Sequence, residues 1–148
     1  MISRRLFLKL TAATGVLGLS GSAYATATAQ FGGLGQLPVP GDYDGDGKAD
    51  AVLYKPATAT WHAMLSANNY ATASLSGFGG PAFLPVPGDF DGDGLSDLAL
   101  YHRITGEWQV MLSGSGYNIA TLTGFGGLGR TPLSGQVDAD ALADLAIY

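Results

Sequence analysis

An internal repeat with a period of 47 residues runs through most of this chain and restricts the folds open to it. The segment Phe-Gly-Gly occurs three times at intervals of 47 residues, and an aspartate-rich stretch follows each copy at the same distance. Units this short bury a core mainly against their neighbours, so the repeat predicts a stacked or radial architecture. The predicted units span residues 31–77, 78–124 and 125–148, which makes about two and a half repeats.

Each complete unit is predicted to contain four short strands. In the first unit an extended piece over 37–40 precedes the aspartate-rich stretch, and strands over 51–54, 60–65 and 70–75 follow it. The run 51–54 is apolar throughout, which favours burial on both faces. A chain with 23 glycines and only 13% charged residues favours short strands joined by tight turns. The chain is therefore predicted to be all-β, with antiparallel four-stranded units.

The aspartate-rich stretch has the composition of a cation-binding loop. Aspartates occupy loop positions 1, 3, 5 and 9, and glycine at position 6 (Gly47, Gly94) permits the positive φ of a sharp turn. Oxygen ligands at this spacing suit calcium, and carboxylates this close repel one another unless a cation is bound. A turn that binds nothing is the alternative. The predicted ligands are Asp42, Asp44, Asp46, Lys48 and Asp50 in the first loop and Asp89, Asp91, Asp93, Leu95 and Asp97 in the second, with Lys48 and Leu95 acting through their backbone carbonyls.

The third copy of the loop has lost part of this pattern. Gln136 stands at position 1, and alanines at 139 and 141 replace both loop glycines. Alanine resists the positive φ that glycine accepts, and one fewer charge lowers the attraction for a cation. We therefore predict a vacant or weak site, with Asp138, Asp140 and Asp144 as its remaining acids.

Taken together, the repeats resemble the FG-GAP or VCBS-type repeats of bacterial extracellular proteins, which are related to the calcium-binding blades of integrin α-subunit propellers. The resemblance covers 31–148 and rests on the D-x-D-G-D-G-x-x-D loop, the Phe-Gly pair and the repeat length. Pro-Val-Pro-Gly, at 38–41 and 85–88, departs from the Gly-Ala-Pro of the family pattern. The resemblance implies β-propeller-like blades and about two calcium sites with a degenerate third. Closed propellers have at least about four blades, so we expect a partial or open propeller: a fragment, an assembly of chains or a short open stack.

The first 29 residues resemble a twin-arginine signal peptide. Arg4 and Arg5 are followed by Phe, Leu and Lys at the expected positions, then by an uncharged stretch and by Ala-x-Ala sites that predict cleavage between Ala25 and Ala29. Cleavage would leave no stable membrane insertion, and the mature protein is expected in the periplasm, at the cell surface or outside the cell. An uncleaved N-terminal anchor is the alternative.

Charge and residue usage argue against several functions. All but one of the acidic residues lie in the three loops, and only four basic residues follow the leader, so no nucleic-acid partner is expected. The chain has no cysteine and no nucleophilic triad, phosphate loop or dinucleotide motif, so it is predicted not to be an enzyme. His62 and His102 occupy different positions in their repeats, whereas Trp61 and Trp108 coincide and are expected in the core.

The leading interpretation is an exported calcium-binding β-repeat module with a structural or adhesive role and a protein or glycan ligand. A carbohydrate-binding propeller fragment, with Trp61 and Trp108 stacking on sugars, is the alternative. An accessory domain of an extracellular enzyme is a weaker one. The apolar segment 145–148 is predicted to present a strand edge for homo-oligomerisation. A stable, soluble monomer in light scattering would contradict that last prediction.

Overall fold

The computed structural model describes residues 31–148, and the predicted signal peptide lies outside them. Within these residues ten strands form three antiparallel sheets, and no α-helix occurs. The all-β class and the antiparallel arrangement predicted from the sequence are confirmed. In the same part of the chain, no helix has the length and apolar character needed to cross a bilayer.

Strand order follows chain order in each four-stranded sheet, and each sheet lies within one 47-residue unit of the sequence. The predicted strand positions in the first unit agree with the observed ones to within a residue or two. The first sheet contains β1 (Leu37–Pro38), β2 (Ala51–Lys55), β3 (Thr60–Leu65) and β4 (Ala71–Ser76); the second contains β5 (Phe83–Pro85), β6 (Leu98–His102), β7 (Trp108–Leu112) and β8 (Asn118–Leu122); the third contains β9 (Pro132–Gly135) and β10 (Asp144–Ile147).

The two complete sheets share one register. Tyr54 lies opposite Trp61 in the first sheet, and Tyr101 lies opposite Trp108 in the second, with ring centroids 4.6 and 4.8 Å apart. Each indole N–H donates to the carbonyl of the phenylalanine that opens the following Phe-Gly-Gly segment, at 3.0 and 2.8 Å. Burial of each tryptophan therefore leaves its N–H satisfied.

Successive sheets are joined through the Phe-Gly-Gly segments. The hydroxyl of Tyr54 accepts from the N–H of Gly80 at 2.7 Å and donates to its carbonyl at 3.1 Å. Tyr101 makes the same pair of bonds with Gly127, at 2.6 and 3.1 Å. Gly79, the middle residue of the segment over 78–80, has a φ of 110°, and a β-carbon there would collide with the Tyr54 hydroxyl. The motif therefore needs glycine for its conformation and for the close approach of the tyrosine.

Burial differs between the first two sheets because only the second is packed on both sides. The β6 residues from Leu98 to Tyr101 are all buried, whereas β2 buries only Val52 and Tyr54 and exposes Ala51. The prediction that both faces of 51–54 are buried is therefore wrong for β2, since no described sheet covers its second face. One core lies between the first and second sheets and a smaller one between the second and third.

Candidate metal centre

Each complete aspartate-rich loop connects the first and second strands of a four-stranded sheet and closes on itself. The N–H of Asp50 donates to the carbonyl of Gly41 at 2.7 Å, and Asp97 makes the same bond to Gly88 at 2.7 Å. Both pairs form isolated antiparallel bridges. Closure places the two ends of the loop side by side, so that carboxylates distant in the loop sequence approach one another.

Three carboxylates converge in each of these two loops. One oxygen from each of Asp42, Asp44 and Asp50 lies within 4.8 Å of the others, and positions 1, 3 and 9 of the second loop converge in the same way. Two oxygens on opposite sides of a calcium ion are about 5 Å apart, so one ion fits this separation. Asp50 and Asp97 are 1% and 0% exposed, whereas the other triad members are half-buried.

The glycine turns aim backbone N–H groups at the position 1 carboxylate. In the first loop Asp42 accepts from Gly45 at 2.6 Å and from Gly47 at 2.8 Å. The second loop repeats these two bonds at 2.7 and 2.9 Å. The φ values are 82° for both glycines of the first loop, and 75° and 86° in the second. Positive φ at positions 4 and 6 explains why glycine occupies them.

Backbone N–H groups just after the third strand also donate to the triad carboxylates. The sequence did not predict this contact. The N–H of Ser66 donates to Asp50 Oδ1 at 2.7 Å, and the next N–H, of Ala67, donates to Asp44 Oδ2 at 2.9 Å. A signal was available, because Met-Leu-Ser recurs in both units and its serine directly follows the third strand. The loop is thereby fastened to β3 as well as to β2. The counterparts in the second loop are Ser113 and Gly114, at 2.7 and 2.8 Å from Asp97 and Asp91.

The aspartates at position 5 lie outside both triads and differ between the loops. Asp46 Oδ1 accepts from Ser66 Oγ at 2.9 Å, and its Oδ2 accepts from Lys48 Nζ at 3.1 Å. The lysine hydrogen bond lowers the pKa of Asp46. Asp93 Oδ1 accepts from Ser113 Oγ at 2.9 Å, but its Oδ2 is buried without a hydrogen-bond partner. An unpartnered buried carboxylate oxygen is destabilising, and a bound cation would satisfy it.

Burial also disfavours the ionised form of Asp97, the most buried acid of the second triad. It raises the pKa of Asp97, and the nearby charge of Asp91 raises it further. The pKa values of Tyr43 and Tyr117 are raised as well, first by burial and then by the neighbouring carboxylates. A raised pKa in an acid means that its charged form is held at an energetic cost. A divalent cation beside these groups would favour the charged carboxylates.

The third loop keeps some hydrogen bonds of the complete loops, but its carboxylates do not converge. The N–H of Val137 donates to Asp144 Oδ2 at 2.8 Å, as the equivalent residues do in the complete loops. Neither loop alanine adopts positive φ, and the side-chain amide of Gln136 donates to the carbonyl of Asp140. Among the described residues, Asp138, Asp140 and Asp144 do not form a third triad. Weak binding there remains a prediction.

Neighbouring loops are hydrogen-bonded to each other. The N–H of Ser96 donates to the carbonyl of Asp42 at 2.6 Å, and the N–H of Ala143 donates to the carbonyl of Asp89 at 2.7 Å. The Leu95 side chain packs beside the backbone of the first loop. The three loops therefore lie side by side.

The other sequence candidates do not form a site. Trp61 and Trp108 are 2% and 0% exposed, so both lie in the core as expected and neither ring is available at the surface. His62 and His102 lie outside the two acidic triads. Comparison with known proteins shows no relative, since no family model, curated protein or solved structure matches the chain.

Proposed function

We propose that this protein is a calcium-binding β-repeat module whose four-stranded sheets are propeller-like blades of a partial or open propeller. The observation that supports this most is the carboxylate triad, which forms twice with the same glycine turns and backbone hydrogen bonds. Carboxylate oxygens in an irregular loop favour calcium over magnesium, which requires near-octahedral geometry, and over softer metals that prefer nitrogen or sulfur. The backbone carbonyls of Lys48 and Leu95 would complete the shells together with water. These groups suggest binding rather than catalysis, so we propose no enzymatic activity.

In this proposal the bound calcium has a structural role. Asp50 accepts N–H groups from Tyr43, within the loop, and from Ser66, at the end of β3. An ion that neutralises the triad would hold these contacts together and so lock the loop against two strands. The hydrogen bond from Ser96 to Asp42 would extend that restraint to the next repeat. A stiffened row of repeats suits a structural or adhesive module with a protein or glycan partner.

Export by the twin-arginine route, to the periplasm, the cell surface or the outside, is part of the same proposal. Its support is the motif at Arg4 and Arg5, which lies outside the described residues. Calcium sites of extracellular modules have dissociation constants of about 10⁻⁴ to 10⁻³ M. Calcium outside the cell reaches that range, so sites of this strength would be filled after export.

Calorimetric titration with calcium chloride, alongside thermal melts, tests calcium binding. We expect about two sites per chain, and at a hundredfold excess over the dissociation constant each site stabilises the fold by about 2.7 kcal/mol. The melting temperature should then rise by roughly 10 °C for each filled site, and by roughly 20 °C with both sites filled. Asp44→Asn and Asp91→Asn should each remove one site, and the double variant both.

Magnesium chloride at the same concentration is the ion control and should produce a smaller melting shift. If the unaltered protein gives neither heat nor a melting shift with calcium, the proposal is wrong.

A further inference from the structure

Lys48 places one of the protein's own cations at the first loop. Its Nζ lies 3.1 Å from Asp46 Oδ2, and its side chain is 72% exposed while that of Asp46 is 16% exposed. The ammonium therefore reaches a mostly covered carboxylate from the solvent side. A lysine ammonium is a compact point charge with donors only, so it satisfies this oxygen as a metal ion would. The second loop has Leu95 at the same position.

The second loop leaves the equivalent oxygen unsatisfied. Asp93 Oδ2 is buried and has no hydrogen-bond partner, and the Leu95 side chain has no donor to offer. Gly114 adds space, because a β-carbon there would lie 2.8 Å from Asp91 Oδ2 and 3.2 Å from Asp93 Oδ2. The first loop has Ala67 at this position. The second loop thus combines an unpaired carboxylate oxygen with free space beside it, which the methyl group of an alanine at position 114 would fill.

We propose that Lys48 is a built-in competitor for the metal, so that the second loop binds calcium more tightly and fills first. This inference rests on the calcium binding proposed above. A calcium ion entering the first loop must displace the ammonium from Asp46 or tolerate its repulsion, whereas the second loop presents no such cation. The ion pair is exposed and therefore weak, so we expect the two dissociation constants to differ by roughly two- to tenfold.

Two single-loop variants measure the affinities separately. Asp44→Asn leaves the second triad intact and Asp91→Asn leaves the first, and each is titrated with calcium chloride after a thermal melt has shown that it folds. Tighter binding is expected for Asp44→Asn. Adding Lys48→Gln to Asp91→Asn should then tighten the first loop by roughly two- to tenfold, because glutamine removes the competing charge. Lys55→Gln makes the same charge change outside the loop and should leave the affinity unaltered.

Placing a lysine in the second loop tests the same effect in the opposite direction. Adding Leu95→Lys to Asp44→Asn should weaken calcium binding by a similar factor. Leu95 also packs beside Gly45, since a β-carbon on that glycine would lie 2.9 Å from it. Leu95→Gln is therefore the matched control, because it loses the same packing without adding a cation and should weaken binding less.

The outcomes separate the two proposals. Equal affinities in the single-loop variants, or no response to Lys48→Gln, would overturn the role of Lys48 and leave calcium binding intact. An equal gain from Lys55→Gln would show a general charge effect and overturn it too. If the unaltered protein and both single-loop variants fail to bind calcium, both proposals are wrong.

Discussion

At the scale of single residues, the tyrosine near the end of the second strand in each four-stranded sheet joins that sheet to the next Phe-Gly-Gly segment. The Tyr101 side chain is fully buried, and its hydroxyl uses both its donor and its acceptor capacity on Gly127, which is itself buried. Tyr148 occupies the same repeat position but is 72% exposed. Tyr101 therefore packs in the core, whereas Tyr148 is largely exposed.

Removal of the side-chain hydroxyl should therefore lower the free energy of unfolding more at Tyr101 than at Tyr148. Tyr101→Phe leaves a buried N–H and carbonyl of Gly127 without their partner, so the free energy of unfolding should fall by about 1–3 kcal/mol. Tyr148→Phe is the matched control and should change it by less than about 0.5 kcal/mol. Urea denaturation followed by tryptophan fluorescence measures both. Equal losses in the two variants would contradict the role assigned to the tyrosine–glycine contact.

At the scale of elements, the three loops show that forming the strand pair and assembling the triad are separable. The third loop still connects an antiparallel pair, β9 and β10. It lacks the glycine turns that bring two N–H groups onto the position 1 carboxylate in the other loops. Its sheet has two strands in the described chain, so no third strand supplies the N–H groups that Ser66 and Ala67 donate in the first sheet.

Restoring the missing residues should therefore add a weak third site. The triple variant Gln136→Asp, Ala139→Gly, Ala141→Gly regains the charge and both positive-φ turns, and we expect a third calcium equivalent in calorimetry. Its affinity should be roughly tenfold below that of the complete loops, because the described chain supplies this loop with no N–H groups from a third strand. Gln136→Asp alone keeps both alanines and should add no measurable site. A third site of equal strength in that single variant would show that the glycine turns are not required.

At the scale of the whole molecule, the chain is held together by two cores that contain none of the predicted ligands. Aromatic and aliphatic side chains fill both of them, including Trp61 in one and Trp108 in the other. The packing between sheets is therefore mainly apolar, and the loops add to it through Tyr43 and through the hydrogen bonds between neighbouring loops. This matters for the proposed export, because the twin-arginine route carries folded proteins. The protein would have to fold in the cytosol, where the low calcium concentration would leave weak sites empty.

We accordingly predict that export requires the paired arginines and does not require calcium. Replacing Arg4 and Arg5 by lysine should retain the protein in the cytoplasm, whereas the double variant Asp44→Asn, Asp91→Asn should still be exported because its cores are intact. Cell fractionation with immunoblotting measures both. Unchanged export of the lysine variant would contradict the assigned route, and loss of export in the double asparagine variant would show that folding before export depends on the loops.

Much of the local structure was predictable because it depends on residues close together in the chain. The all-β class, the strand positions of the first unit and the acids at loop positions 1, 3 and 9 follow from apolar runs, glycine turns and spacing. The contributions of Ser66 and Gly114 were not predicted, because these residues come after an intervening strand and reach the loop only through sheet pairing.

The repeat, the antiparallel strands and the placement of acids and glycines in each loop follow from local patterns in the sequence. Which strand faces are buried depends on the packing of the sheets: β6 is covered on both sides and β2 on one, although their sequences are alike. The tertiary structure also distinguishes Asp46, paired with Lys48, from Asp93, whose Oδ2 is buried and unpaired. These differences arise because burial and hydrogen-bond satisfaction depend on contacts between repeats and between strands, which no single segment contains.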